Sequence, residues 1–177
     1  VPRWTCYSTK LRMFCQLLQE LGFAIIKPVI NEFQMQLVFK QLDVKHVKGR
    51  DNMYELYEVD QSTYVDYEIK RIYYLTNLKG NTGAHCHYEE KELFVMATGS
   101  CVAVIDRGYG IEDVPMAQGQ AIYVGNLVWH HFKDFSEDAI LMAVSSTKHN
   151  PDRSDYLEDY DQYLAYIKEH GITPSEK

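Results

Sequence analysis

The chain has 177 residues and carries 18 Lys and Arg against 25 Asp and Glu, a formal net charge of −7. Hydrophobic residues make up 46% and charged residues 24%, which is typical of a globular protein and excludes a disordered or fibrous chain. No apolar run approaches the roughly 20 residues of a membrane helix, and the acidic charge offers no field that attracts nucleic acid. We therefore expect one globular domain with a short appendage, without a membrane or nucleic-acid partner.

The cysteine content and the N-terminal residues of the sequence indicate the cellular compartment of the protein. Cys6, Cys15, Cys86 and Cys101 form no CxxC pair, and four cysteines are too few to staple a chain of this length. They are predicted to be free thiols in a reducing compartment. Arg12 interrupts the apolar stretch that a secretory signal requires, so the cytoplasm is the expected location.

Residues 1–35 are predicted to form a helical appendage. Apolar residues with the spacing of one helical face are Leu11, Phe14, Leu17, Leu18 and Leu21. They predict a helix at about residues 9–21, with Gly22 as its natural stop. This helix could cap a barrel end or a dimer, or be the remnant of a neighbouring domain.

Residues 36–177 are predicted to form an all-β domain with a C-terminal helix. Short runs rich in Val, Ile, Tyr and Phe recur, bounded by Gly, Asn or Asp. The clearest runs span residues 36–42, 53–59, 69–75, 92–96, 101–105, 121–124, 129–132 and 139–144. Strands this short and this regularly spaced predict a sandwich or barrel rather than βαβ units.

The end of the chain returns to helical spacing after Asn150-Pro151. The residues that carry this spacing are Tyr156, Leu157, Tyr160, Tyr163, Leu164 and Ile167. Asp152 and Asp155 lie near the predicted start, and Gly171 follows the end. The pattern predicts a helix whose aromatic face packs on the barrel or on a partner subunit.

The densest group of polar residues in a β context is His85-Cys86-His87. On a strand, residues i and i+2 point to the same side, so both imidazoles share one face. With Glu92 and Gly99 downstream, the spacing resembles the first motif of the cupin superfamily. The sequence therefore predicts a cupin-type double-stranded β-helix, a jelly-roll barrel.

The second cupin motif is also recognisable. Gly119 begins it, and His130 stands where that motif places its histidine, whereas Gly125 and Leu127 replace the usual Pro and second Gly. His131 alternates to the opposite face from His130 and is predicted to have no function.

Two kinds of chemistry fit these residues. Three histidines and a carboxylate, the set His85, His87, Glu92 and His130, match the ligands of iron, manganese, nickel or zinc. Alternatively, the imidazoles act as acid and base without a metal, because histidine has a pKa near 6.5. The residues by themselves leave both possibilities open.

A longer set of segments resembles one family of cupins. They are residues 70–80, 85–87, 99–101, 123–130, 134–136 and 159–161. Over about residues 38–168 the chain is similar to the dTDP-4-keto-6-deoxy-hexose 3,4-ketoisomerases, the WxcM-like (FdtA/QdtA-like) cupins of nucleotide-sugar pathways. The Val-Trp-His piece at residues 128–130, with the following Asp-Phe-Ser, is the most specific part of the likeness.

The resemblance implies an isomerase without metal or cofactor, which forms homodimers with exchanged strands. Its substrate would be a dTDP-linked 4-keto-6-deoxy sugar, whose carbonyl moves from C4 to C3 through an enediol. A pyridoxal-phosphate aminotransferase would then use the product, giving 3-amino-3,6-dideoxy sugars for lipopolysaccharide, other surface glycans or antibiotics.

Site residues follow from the same resemblance. His87 is the expected base, and His85 is expected to orient the sugar or relay a proton. Tyr74 is expected to donate to a sugar oxygen, with Tyr73 in its place if the strand register differs.

The expected substrate-binding residues are Arg50, which would reach the diphosphate, and His130 and Trp129 on the second-motif strand. Two departures from the family pattern stand out. Thr82 replaces an Arg, and Glu92 stands where many members carry Gln, which restores a carboxylate at the cupin ligand position. A metal-dependent enzyme and a non-catalytic nucleotide-sugar-binding module therefore remain as alternatives.

Overall fold

Antiparallel β-strands dominate the computed structural model of this protein, which describes residues 35–175. The predicted helix at about residues 9–21 lies outside the described residues. The strands are β1 (Gln36–Leu37), β2 (Phe39–Asp43), β3 (Lys45–Lys48), β4 (Glu55–Glu58), β5 (Arg71–Leu75), β6 (Cys86–His87), β7 (Glu92–Thr98), β8 (Ser100–Asp106), β9 (Ile111–Ala117), β10 (Gln120–Val124), β11 (Trp129–Lys133), β12 (Ile140–Ser145), β13 (Tyr156–Leu157) and β14 (Thr173–Pro174). The helices are α1 (Gln61–Tyr64) and α2 (Tyr160–Glu169), and a 3₁₀ turn spans Arg50–Asn52. Within residues 35–175, neither helix has the length and apolar character needed to cross a bilayer.

Two sheets enclose the core. One has five strands in the order β2-β10-β7-β12-β5, and the other has three in the order β11-β8-β9. A bridge between His85 and His130 joins the short β6–β13 pair to the edge of the second sheet. This arrangement confirms the predicted all-β jelly roll.

The interior cluster takes apolar side chains from both sheets. Phe94 of β7 and Leu141 of β12 face Ile105 of β8 and Phe132 of β11, and all four are buried. A second hydrophobic cluster covers the other face of the five-stranded sheet. It combines Tyr64 of α1 with buried residues of β7 and β10. Because β7 is buried on both faces, its sequence is an unbroken apolar run rather than an alternating one.

The sequence analysis missed the strand β9. This strand contains Glu112, Asp113 and Pro115, residues that are rare within sheets. It lies at the edge of the three-stranded sheet, where proline and exposed charges are tolerated. β3, whose residues are all exposed, was missed for the same reason.

The C-terminal helix is confirmed, but its predicted start is wrong. Tyr156 and Leu157, expected on the helix, instead form β13 and pair with β6. The helix begins only after Asp159, whose side chain accepts a hydrogen bond from the backbone N–H of Gln162 at 2.8 Å. Such an N-cap fixes the start more strongly than apolar spacing does.

Two turns shape the strands that carry the site. Gly99 joins β7 to β8 with φ +74°, a left-handed conformation that glycine adopts without strain. Leu127, which replaces the motif's usual glycine, adopts φ +58° in the turn before β11. Its backbone N–H donates to the carbonyl of His87 at 2.7 Å, which ties this turn to β6.

Candidate active site

Three imidazoles converge between β6 and β11. The Nε2 atoms of His85 and His87 lie 3.1 Å apart, a hydrogen-bond distance when one of the two atoms carries a proton. The ring centroid of His130 lies 4.6 Å from that of His85 and 5.8 Å from that of His87. The structure thus brings together all three histidines of the predicted cluster, with His87 and His130 buried and His85 partly exposed.

Backbone carbonyls fix which nitrogen carries hydrogen in two of these rings. His85 Nδ1 lies 2.9 Å from the carbonyl oxygen of Gly83, and His130 Nδ1 lies 3.0 Å from that of Val128. A carbonyl oxygen only accepts, so both Nδ1 atoms donate. In the neutral rings the Nε2 atoms then hold lone pairs that are free to accept a proton or bind a ligand.

Three carboxylates surround His87. Its Nδ1 lies 3.3 Å from Asp155 Oδ2 and 3.5 Å from Glu90 Oε2, and its Nε2 lies 3.7 Å from Glu92 Oε2. Glu92 Oε2 also lies 3.8 Å from His130 Nε2. Acidic side chains therefore lie beside both nitrogens of the His87 ring.

One arginine balances this acidic group. Arg71 on β5 donates from Nη2 to Glu90 Oε1 at 2.6 Å and lies 4.0 Å from Glu92 Oε1. Ser145 on β12 also donates to Glu90 Oε1. The sequence analysis missed both Arg71 and Glu90, although Arg71 lies two residues before Tyr73 and thus on the same face of β5.

Tyr73, not Tyr74, faces the cluster. The Tyr73 hydroxyl donates to Glu92 Oε1 at 2.7 Å. Tyr74 lies on the other face of β5 and is 71% exposed. The structure therefore brings Tyr73, the alternative of the sequence analysis, to the cluster and does not bring Tyr74 there.

The segment before α2 closes one side of the cluster. The Tyr156 ring stacks on His85 at 4.8 Å between centroids and meets the edge of His87 at 4.4 Å. Asp155, one residue earlier, contacts His87 directly. Neither residue was predicted to belong to the site, because both were placed at the start of a helix rather than beside β6.

Burial dominates the electrostatics of the cluster. It lowers the pKa of His85 to about 4, with the neighbouring His87 as second cause, and holds the pKa of His130 well below its usual range. Burial, followed by the charge of Glu90, raises the pKa of Glu92 to about 7. Near neutral pH the site therefore contains two neutral imidazoles and a carboxyl group poised to exchange a proton.

Two predicted substrate-binding residues lie elsewhere. Trp129 lies on the opposite face of β11 from His130 and packs against Tyr160 and Tyr163 of α2, with ring centroids 5.1 and 5.4 Å away. Its buried side chain therefore faces the helix and not the imidazoles. Arg50 is 89% exposed in the turn between β3 and β4, where it contacts Asp51 at 3.7 Å. The structure does not bring it to this cluster.

The same donors suit a divalent metal ion. Ligand nitrogens of His85, His87 and His130 all lie within 4.8 Å of one another. Each ring also has an oxygen acceptor near its Nδ1, the arrangement that orients histidine ligands in metal sites. The buried Nε2 of His130 has no hydrogen-bond partner among residues 35–175, so no described residue competes with a ligand there.

Comparisons with known proteins agree with this geometry. Residues 36–168 match the family model described as FdtA: WxcM-like, C-terminal. A TDP-4-oxo-6-deoxy-alpha-D-glucose-3,4-oxoisomerase from Aneurinibacillus thermoaerophilus is 32% identical over 120 residues, which cover 66% of this chain and 85% of that protein.

Two solved structures share the fold at 27% sequence identity. A 3,4-ketoisomerase from Helicobacter canadensis has a TM-score of 0.67 and covers 75% of this chain and 98% of its own. The TDP-quinovose 3,4-ketoisomerase WlaRB from Campylobacter jejuni has a TM-score of 0.65, with coverages of 72% and 97%. With a family model matched over most of its length and a relative above 30% identity, the chain belongs to the WxcM-like family of FdtA.

Proposed function

We propose that the protein is a sugar-nucleotide 3,4-ketoisomerase. It moves the carbonyl of dTDP-4-keto-6-deoxyglucose from C4 to C3 through an enediol, with histidine as acid and base. The observation that carries the proposal is the pair of Nε2 atoms 3.1 Å apart, in a buried site with three carboxylates around His87. The relative from A. thermoaerophilus carries the name of this reaction.

His87 is the base in this proposal. Removal of the C3 proton places positive charge on the base, and the three carboxylates stabilise that charge on His87. His85 is a poor holder of charge, since burial lowers its pKa to about 4. Its Nε2 lone pair, 3.1 Å from His87 Nε2, is suited to take the proton that His87 has gained and pass it on, which makes His85 the relay.

One further polar side chain of the site is proposed to donate a hydrogen bond to an oxygen of the sugar. C3 and C4 are adjacent, so one base on one face can take a proton from the first and return it to the second. Negative charge develops on O3 and O4 in between, and donors aimed at them lower the barrier. The Tyr73 hydroxyl, which donates to Glu92 Oε1 at 2.7 Å, is the candidate donor and would turn to a sugar oxygen. Burial excludes competing water.

Conversion in deuterated water tests the proposal. The purified protein, given dTDP-4-keto-6-deoxyglucose, should produce the 3-keto sugar with deuterium at C4, seen by NMR. We expect His87→Asn to lower kcat by at least about 10³-fold, a typical loss for a catalytic base, with an intact fold by circular dichroism.

His131→Asn, on the opposite face of β11, is the matched control and should retain wild-type activity. Tight substrate binding without any exchange would instead favour a non-catalytic nucleotide-sugar-binding module. Full activity of His87→Asn would remove His87 from its role.

A metal-dependent reaction is the second candidate, favoured by the three histidine nitrogens that can share one ion. His85, His87 and His130 would hold the metal with Glu92, and the ion would polarise a sugar oxygen as a Lewis acid. Elemental analysis of the purified protein separates the two candidates. Stoichiometric metal, with activity lost to a chelator and restored by the ion, would support this alternative over acid–base catalysis alone.

We also propose that the protein forms a homodimer with exchanged strands. In the single chain, the outer face of β5 leaves Ile72 62% exposed and Tyr74 71% exposed, and the β3–β4 turn exposes Met53 and Tyr54. Sedimentation equilibrium should show a dimer that Ile72→Lys weakens. Ile111→Lys, an equally apolar and exposed position on β9, should leave the dimer intact.

Three further proposals follow from the family resemblance. The product would supply an aminotransferase in the synthesis of 3-amino-3,6-dideoxy sugars of surface glycans. The reaction would take place in the cytoplasm, consistent with the free, buried thiols of Cys86 and Cys101. Arg50 would serve the diphosphate end of the ligand, and a raised KM of Arg50→Ala without loss of kcat would support this role.

A further inference from the structure

Asp155 is the carboxylate of the cluster that follows the last strand of the two main sheets, in the segment between β12 and α2. It precedes β13, and the pairing of Tyr156 with His87 and of Leu157 with Cys86 brings it beside β6. The backbone N–H groups of Glu89 and Glu90 donate to its oxygens at 2.7 and 3.1 Å. Its carboxylate is therefore held in place by a neighbouring loop rather than free to rotate.

The held carboxylate faces Nδ1 of His87. Asp155 Oδ2 lies 3.3 Å from this nitrogen, which is buried and has no well-aligned hydrogen bond within the described part of the chain. The two backbone N–H donors hold Asp155 as a hydrogen-bond acceptor on this side of the ring. A carboxylate only accepts, so it favours a hydrogen on Nδ1.

Glu90 is less suited to this role. Its Oε2 lies 3.5 Å from the same Nδ1, but its other oxygen accepts from both Arg71 and Ser145. Two donors therefore already compensate the charge of Glu90. Among residues 35–175, Asp155 has no arginine partner, and beyond the two backbone N–H groups its close polar neighbour there is His87.

We propose that Asp155 is a positioning residue, which keeps the hydrogen of His87 on Nδ1 so that Nε2 alone exchanges protons with the sugar. This inference rests on the proposed function of His87 as the base. It extends the active site to the segment between β12 and α2. The hydrogen-bond pattern of His87 then matches those of His85 and His130, whose Nδ1 atoms donate to carbonyls. The Nε2 atoms of all three histidines are then available for the substrate in the interior of the site.

The test is Asp155→Asn. The amide oxygen can keep the shorter backbone bond, from Glu89, while the N–H₂ group replaces Oδ2 and gives up the bond from Glu90. This N–H₂ group would face Nδ1 and favour hydrogen on Nε2, the wrong nitrogen. We expect kcat to fall by about 10⁴-fold, as when the carboxylate behind a catalytic histidine becomes an amide, while KM stays within about threefold. Asp155→Glu should recover part of kcat, because a carboxylate returns.

Asp152→Asn is the matched control, because Asp152 lies in the same segment, is exposed and accepts from the backbone of Ser154. It should retain wild-type activity. A kcat of Asp155→Asn within twofold of wild type would overturn the inference, as would a loss confined to KM.

A readout without substrate separates this inference from the proposed function. Nitrogen-15 NMR of histidine-labelled protein reports which ring nitrogen carries hydrogen. Wild-type His87, identified by its absence in His87→Asn, should carry hydrogen on Nδ1, and Asp155→Asn should shift it to Nε2. An unchanged His87 spectrum in a folded variant would refute the inference. A wild-type protein that shows the expected spectra but does not convert the substrate would refute the proposed function alone.

Discussion

β5 and β11 carry ring-bearing side chains on both their inner and outer faces, but the surroundings of the two faces differ. On β11, His130 faces Glu92 and the other imidazoles, whereas Trp129 next to it packs on α2. On β5, Tyr73 donates to Glu92, whereas Tyr74 is exposed. One step along a strand separates a residue of the site from a structural or surface residue, because side chains alternate between faces.

The difference has an energetic side as well. The inner face buries polar groups, which destabilises the fold unless partners compensate them, and the pKa of Glu92 is raised as a result. The outer face of β11 buries an aromatic ring against a helix, which stabilises the fold by hydrophobic contact. Substitutions on the two faces should therefore separate activity from stability.

The largest expected effect on stability is that of Trp129→Ala. Removing a buried tryptophan from the contact with Tyr160 and Tyr163 should lower the free energy of unfolding by about 3 kcal/mol, the lower end for such truncations. Denaturant unfolding followed by circular dichroism measures this loss. At a temperature where the variant stays folded, kcat should remain within twofold of wild type.

Trp129→Phe is the control for this prediction and should keep most of the stability, because an aromatic ring still fills the contact. A kcat loss in Trp129→Ala as large as that of His87→Asn would break the comparison. It would return Trp129 to the site, where the sequence alone had placed it.

The short-range pattern of the sequence was enough to predict the barrel fold and the cluster of three histidines. The i, i+2 spacing of His85 and His87 places both side chains on one face of a strand. The sequence separation between the two motifs places His130 on a different strand, and the structure brings the three together. The choice between Tyr73 and Tyr74 needs the register of β5, which no local pattern specifies. Asp155 reaches His87 only through the pairing of β13 with β6, 69 residues apart at Tyr156 and His87.

A second prediction concerns the neutral imidazoles of the inner face. Burial, followed by His87, lowers the pKa of His85 to about 4, against 6.5 for an unburied histidine. Below pH 6.5 the unfolded chain binds a proton at His85 that the folded chain does not bind, so stability falls as the pH falls towards 4. At pH 5 this amounts to about 2 kcal/mol relative to pH 7.

His85→Gln isolates this contribution, because its amide can still donate to the Gly83 carbonyl but does not titrate. Between pH 7 and pH 5, the free energy of unfolding of the wild type should fall by about 2 kcal/mol relative to that of the variant. Trp129→Ala is the control, since its difference from wild type in the free energy of unfolding should not change with pH. A constant difference for His85→Gln would mean that His85 is not shielded from solvent.

The smallest expected effect, and the sharpest use of the comparison, comes from the paired variants Tyr73→Phe and Tyr74→Phe. Each removes one hydroxyl and leaves the ring. Tyr73→Phe removes the hydrogen bond at 2.7 Å to Glu92, a charge-assisted bond worth about 1.5 kcal/mol, and should lower kcat by about tenfold. Tyr74→Phe should keep kcat within twofold, because its hydroxyl lies on the exposed face. Equal losses in both variants, or a larger loss in Tyr74→Phe, would show that the working enzyme uses the outer face of β5.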